Sequence, residues 1–168
     1  MLLLLYNLHS WIGICRNTFY FVYMYCPDNT IIKSIDINAP ASTIWSVLTN
    51  PDLMKQWIID SEINISSEWK AGSPILIQGD LHGLPFENRG TILQWEPEKV
   101  FAYNYWSSLS QHPDIPENYV VLTFRLTPVG DSTTLAITLS NVTPGTVWQH
   151  LNFYWNTAID LIRKLSER

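Results

Sequence analysis

Between Ile32 and Ile37 apolar and polar residues alternate, the period of a half-buried strand. Ala39-Pro40 ends that pattern, because proline has no N–H to give to a strand ladder. Beyond the proline, Ile44, Val47 and Leu48 recur at helical spacing with Trp45 at the edge of the stripe, which predicts a short amphipathic helix. Asn50-Pro51-Asp52 then reads as a cap, a first helical position and a carboxylate at the positive end of a helix dipole. A second helix carrying Leu53, Met54 and Trp57 is expected from there.

After Trp57 the pattern changes to strands. Asn64 to Trp69 and Pro74 to Asp80 are expected as two, the second with Ile75 and Ile77 on one face, and Gly79 to Gly83 is expected to break the chain. Phe86 to Trp95 and Val100 to Trp106 flank the turn residues Glu96-Pro97-Glu98-Lys99 and form a hairpin by spacing, with Phe101, Tyr103 and Tyr105 on one face. Ser107 to Asn118 holds two prolines and three serines without periodicity, a long loop of the kind that serves as a lid. Tyr119 to Thr127 directs Val120, Leu122, Phe124 and Leu126 inward, and the turn at Val129-Gly130-Asp131 returns through Leu135, Ile137 and Leu139 as a second hairpin. Thr146 and Gln149 have the spacing of a capping box for a last helix, whose stripe is Val147, Leu151, Tyr154, Trp155, Ala158, Ile162 and Leu165.

This order is α+β, with helices gathered on one side of an antiparallel sheet. A sheet curled around a long helix leaves room for a cavity between them, the default place for a ligand. The chain has 168 residues and 46% hydrophobic content, enough for one core, with a surplus of rings: eight Trp, eight Tyr and six Phe. A formal charge of −5 and the lack of any basic run argue against a nucleic-acid surface. Cys15 and Cys26 stand in no CxxC pattern, so a reducing, cytoplasmic setting without disulfides is expected.

Residues 1–28 differ from the rest. The stretch is apolar, but Asn7, His9, Ser10 and Arg16 interrupt it before the ~18 residues that a membrane span requires. It also lacks the charged start and cleavage site of a secretory signal. The reading is an N-terminal extension, with Met24 as the expected true start and a weak membrane anchor as the alternative. Residues 29–168 are then the domain.

The runs Ile37-Asn38-Ala39-Pro40-Ala41, Ile44-Trp45 and Leu48-Thr49-Asn50-Pro51, with Trp57 after them, resemble the START and SRPBCC helix-grip superfamily. The likeness is to the group similar to the C-terminal domain of the heat-shock ATPase activator (Aha-like). Trp69-Lys70-Ala71-Gly72-Ser73, Glu96-Pro97-Glu98-Lys99-Val100 and Leu126-Thr127-Pro128-Val129-Gly130-Asp131 extend it over nearly all of the chain beyond the extension. The resemblance implies a curved antiparallel sheet wrapped around a long C-terminal helix, with two short helices after the first strand. It implies no single activity, since members bind lipids, hormones or polyketides, catalyse cyclisation or assist a chaperone. One departure is Tyr154-Trp155, where the group often has Gly-Trp; the bulkier neighbour is expected to narrow the cavity.

Candidate chemistry is sparse. His82, His112 and His150 lack metal-ligand spacing, and no GxGxxG, phosphate loop or HExxH motif occurs, so no metal, cofactor or catalytic residue is assigned. Ser110, His112 and Asp114 imitate a nucleophile triad, but triads are assembled from separate rigid elements rather than one loop. Glu87 and Arg89 share a strand face and read as a surface pair. The expected site is a pocket formed by Trp57, Tyr103, Tyr105, Phe124 and Trp155, its tyrosine hydroxyls orienting one polar group of an apolar or amphipathic molecule, lipid or aromatic. Two alternatives stay open: an enzyme on a hydrophobic substrate, with Tyr103, Tyr105 or Glu87 as acid or base, and a chaperone-associated interaction protein. A monomer or weak homodimer is expected.

Overall fold

The structure is a computed structural model that describes residues 29–59 and 61–168. The extension, with Met24 and both cysteines, lies outside the described residues. Strand β1 (Ile31–Ile37) leads into helices α1 (Ala41–Thr49) and α2 (Pro51–Ile58). Ile44, Val47 and Leu48 form the buried stripe of α1, as their spacing predicts. Asn50 caps α2, its side-chain oxygen accepting the Asp52 N–H at 2.9 Å. The Trp57 indole N–H donates to the Val47 carbonyl at 3.0 Å, supplying a partner to one of the carbonyls a helix leaves open at its C-terminus and fixing α2 to α1 in the core.

The remaining strands are β2 (Ile63–Ser67), β3 (Pro74–Leu81), β4 (Leu84–Glu96), β5 (Val100–Ser107), β6 (Val120–Val129) and β7 (Ser132–Ser140). With β1 they make one seven-stranded sheet in the order β1-β7-β6-β5-β4-β3-β2, every pair antiparallel. β1 and β2 stand at opposite edges, so α1 and α2 carry the chain across the sheet. The long helix α3 (Thr146–Ser166) lies against β1, α1 and α2. Trp155, Ala158, Ile159 and Ile162 are the buried apolar positions of α3. The sheet curves around this helix.

Several boundaries differ from the sequence expectation, each for a local reason. Gly79 does not end β3; a Cβ there would meet the Ile63 side chain at 2.7 Å, so the glycine permits close packing inside the strand. The reversal is a two-residue turn at His82 and Gly83, both at positive φ (53° and 92°), the geometry that suits a tight hairpin. β2 stops at Ser67, and Trp69 turns the chain at φ 53°. Ser73, buried, holds that turn by donating to the Lys70 carbonyl at 2.7 Å. In β4 the register slips between Ile92 and Gln94, and this bulge moves the inward phase so that Trp95 packs on the core while Leu93 is left exposed. The loop before β6 is not shapeless: Ser107 belongs to β5, and Ser108–Ser110 and Pro116–Asn118 are single turns of 3-10 helix. The Thr146–Gln149 capping box does not form, because Gly145 (φ 88°, ψ −135°) is the cap residue and Thr146 is already helical.

Candidate functional site

Pairing across the sheet builds one wall of a cavity of about 1000 Å³. On the central strand β5 the alternation turns Tyr103, Tyr105 and Ser107 inward; Tyr103 pairs with Ile92 and Leu122, and Tyr105 with Gly90 and Val120. β3 adds Ile75 and Ile77, and β4 adds Phe86 and Asn88. Opposite them stand Leu151, Tyr154, Trp155 and Ala158 of α3 and the Trp57–Ile59 end of α2. Leu109, Ser110, His112 and Asn118 complete the wall from the loop.

Of the five residues expected to form a pocket, the structure brings Trp57, Tyr103, Tyr105 and Trp155 to the cavity. Phe124 is a correction. At 1% exposure it stacks on Phe101 with ring centres 5.8 Å apart and meets the edges of Trp57 and Trp155 at 6.0 and 5.9 Å. Alternation put it on the inward face, but its position along β6 is where helices and sheet close together, so it fills the core instead. Glu87 is the surface partner of Arg89 that its strand face predicts, and the enzyme alternative loses it as an acid or base. It points to the outer face, where its carboxylate accepts from the Gln78 amide at 2.9 Å and faces Arg89 at 3.4 Å. It is therefore the surface residue of a pair and not an acid within the cavity.

The triad imitation also separates. Ser110 and His112 line the cavity, but Asp114 is held outside by Arg89 and by the Tyr119 hydroxyl, which donates to it at 2.7 Å. His150 lines the cavity from an exposed position on α3, and His82 sits in the β3–β4 turn away from it. Among the described residues no group of three His, Cys, Asp or Glu could hold a metal ion.

The lining is polar at a few points; among the described residues it holds no carboxylate, and its chargeable side chains besides the phenols are Lys55, His112 and His150. Burial pushes the Tyr103 phenol well above its ordinary range, with Tyr105 and Tyr154 nearby adding to the effect. Burial likewise raises Tyr105 to about 12. Tyr154 is raised by burial and donates its hydroxyl to the Ile58 carbonyl at 2.8 Å. Within the described residues the hydroxyls of Tyr103 and Tyr105 have no hydrogen-bond partner, and the buried Trp155 Nε1 and Asn88 Oδ1 are unpartnered as well. The two covered atoms, Trp155 Nε1 and Asn88 Oδ1, each cost about 1–3 kcal/mol. The sequence reading passed over Asn88 as a cavity residue, and it named Tyr154 only as a bulky neighbour that narrows the cavity. Asn88 had a signal, a polar residue in the inward phase Phe86, Asn88, Gly90, Ile92.

A single antiparallel sheet curled around a long C-terminal helix, with a cavity between them, is the architecture of the START and SRPBCC helix-grip proteins, and this chain has that fold. Within that class, residues 38–167 match the family described as activator of Hsp90 ATPase homolog 1-like protein, and the chain belongs to it. The solution structure of ChR145 from Cytophaga hutchinsonii is similar at 32% identity and a TM-score of 0.67, over 80% of this chain and 92% of that one. The Aha1 dimer from Colwellia psychrerythraea shares the fold at 23% identity, TM-score 0.64, over 82% of this chain and 96% of that one. CalU16 from Micromonospora echinospora does so at 21% identity, TM-score 0.60, over 81% and 74%. No curated protein matches the chain. Among the described residues no helix is long and apolar enough to cross a membrane.

Proposed function

We propose that the protein binds a small apolar or amphipathic molecule, a lipid or an aromatic compound, in the cavity between sheet and helix. The observation that supports this reading is the combination of a volume of about 1000 Å³ with walls of aromatic and aliphatic side chains and the tyrosines Tyr103 and Tyr105 at one wall. A packed core leaves few voids larger than a water molecule and satisfies its polar groups, so a space of this kind is suited to an occupant. Trp57, Tyr103, Tyr105 and Trp155 are the residues assigned to hold it. Binding is preferred to catalysis because the protonated tyrosines are not bases at neutral pH and Glu87, the carboxylate offered beside them, faces away from the cavity.

Native mass spectrometry of the full chain, compared with its denatured mass, tests the proposal. The expected result is an added mass that leaves on denaturation, or binding of lipid or aromatic compounds to the bare protein that weakens at least about tenfold in Tyr103→Ala or Trp155→Ala. A folded, bare protein that ignores both ligand classes would overturn it.

A further inference from the structure

We infer that the buried end of the ligand is an uncharged hydrogen-bonding group, such as a hydroxyl or an amide, and that a carboxylate, phosphate or ammonium is excluded from it. The inference rests on the binding function proposed above and adds the chemistry of the recognised group. The Tyr103 and Tyr105 hydroxyls line the cavity, lack partners within the described residues and can each give or take a hydrogen bond. Trp155 Nε1 and Asn88 Oδ1 are unsatisfied too, but both atoms are covered, so the two hydroxyls are the polar groups the cavity presents there. Because each phenol works in either direction, a neutral group that hydrogen-bonds is matched there without a counter-ion.

Charge decides the rest. Burying an ion without a counter-ion costs several kcal/mol even after relaxation, and the deep wall offers none. The chargeable side chains that line the cavity, apart from the phenols, are Lys55, His112 and His150. Lys55 lies on α2 with its side chain 40% exposed and 3.4 Å from the Asp52 carboxylate, and His150 is exposed. His112 is half-buried in the loop. A ligand anion therefore has a cation to meet only at the rim, with its apolar part inward.

Calorimetric titration of the full chain at neutral pH with 2-naphthamide, 2-naphthol, 2-naphthoate, 2-naphthylmethylamine and unsubstituted naphthalene separates these cases. The amide and the naphthol are expected to bind at least about tenfold tighter than the carboxylate and the amine. Tyr103→Phe and Tyr105→Phe should erase most of that preference by weakening the amide and the naphthol several-fold more than naphthalene, a difference that mere loss of packing would not give. The carboxylate should gain affinity as pH falls and it becomes protonated. Carboxylate binding as tight as amide binding at neutral pH overturns the inference and leaves the cavity function standing; loss of that binding in Lys55→Gln would place the anion at the rim. If none of the compounds binds, naphthalene included, the cavity function falls and the inference with it.

Discussion

Tyr103 and Tyr105 are consecutive inward positions of the central strand, with ring centres 6.0 Å apart, and their protonation links the cavity to stability. Both phenols hold their protons at a pH where the unfolded chain has released them. The folded state therefore binds more protons than the unfolded state between the ordinary tyrosine value near 10 and the value of about 12 at Tyr105. Their contribution is fully present below that window and is lost as pH rises through it. Urea midpoints measured from about pH 9 to pH 12 should fall steadily, and Tyr103→Phe should flatten the slope; a slope unchanged in that variant would separate Tyr103 from the effect. These two tyrosines were legible because alternation is a local property of the chain. Phe124 obeyed the same alternation and still lies outside the cavity, since which inward residues meet open space depends on where the helices cross the sheet.

Elements here are fixed by a few contacts that do not resemble one another. The Asn50 cap was readable from the order Asn-Pro-Asp, and Asn50→Ala is expected to cost about 1 kcal/mol in chemical denaturation by freeing the Asp52 N–H. Gly90 carries no such signal, yet a Cβ there would stand 1.7 Å from the Asn104 carbonyl oxygen and 2.9 Å from Tyr105 Cα. Both neighbours are backbone of β5, so neither can swing aside. Gly90→Ala should therefore destabilise by about 3 kcal/mol or more, or prevent folding, and a near-native melting curve would show that β4 and β5 can separate at this point. The bulge at Leu93 and the cap at Gly145 were likewise hidden, because strand register and helix entry are set by what the element packs against, not by its own residues.

At the scale of the molecule, one outer cluster ties the loop beside the cavity to the sheet. Arg89 of β4 pairs with Asp114 and lies over the Trp106 ring at 5.0 Å, Tyr119 donates to the same aspartate, and the Trp106 N–H donates to the His112 carbonyl at 2.9 Å. On its inner side the loop presents Leu109 and His112 to the cavity. Arg89→Gln is expected to leave the melting temperature nearly unchanged, because the pair is exposed, while amide exchange across residues 108–118 speeds up. Exchange as slow as in the parent would mean that the prolines and 3-10 turns hold the loop without the ion pair.

The sequence by itself determined the order of helices and strands, the α2 cap, the inward faces of β5 and β6 and, through its runs of residues, the family. All of these are written in spacing over a few residues, where the physics is that of one helix turn or one strand pleat. Only the tertiary structure decided that Ser110 and Asp114 part company across the loop, that Phe124 is covered, and that Asn88 joins the cavity. Those outcomes depend on how seven strands and a long helix close around a shared space, and that closure is made by residues far apart in the chain.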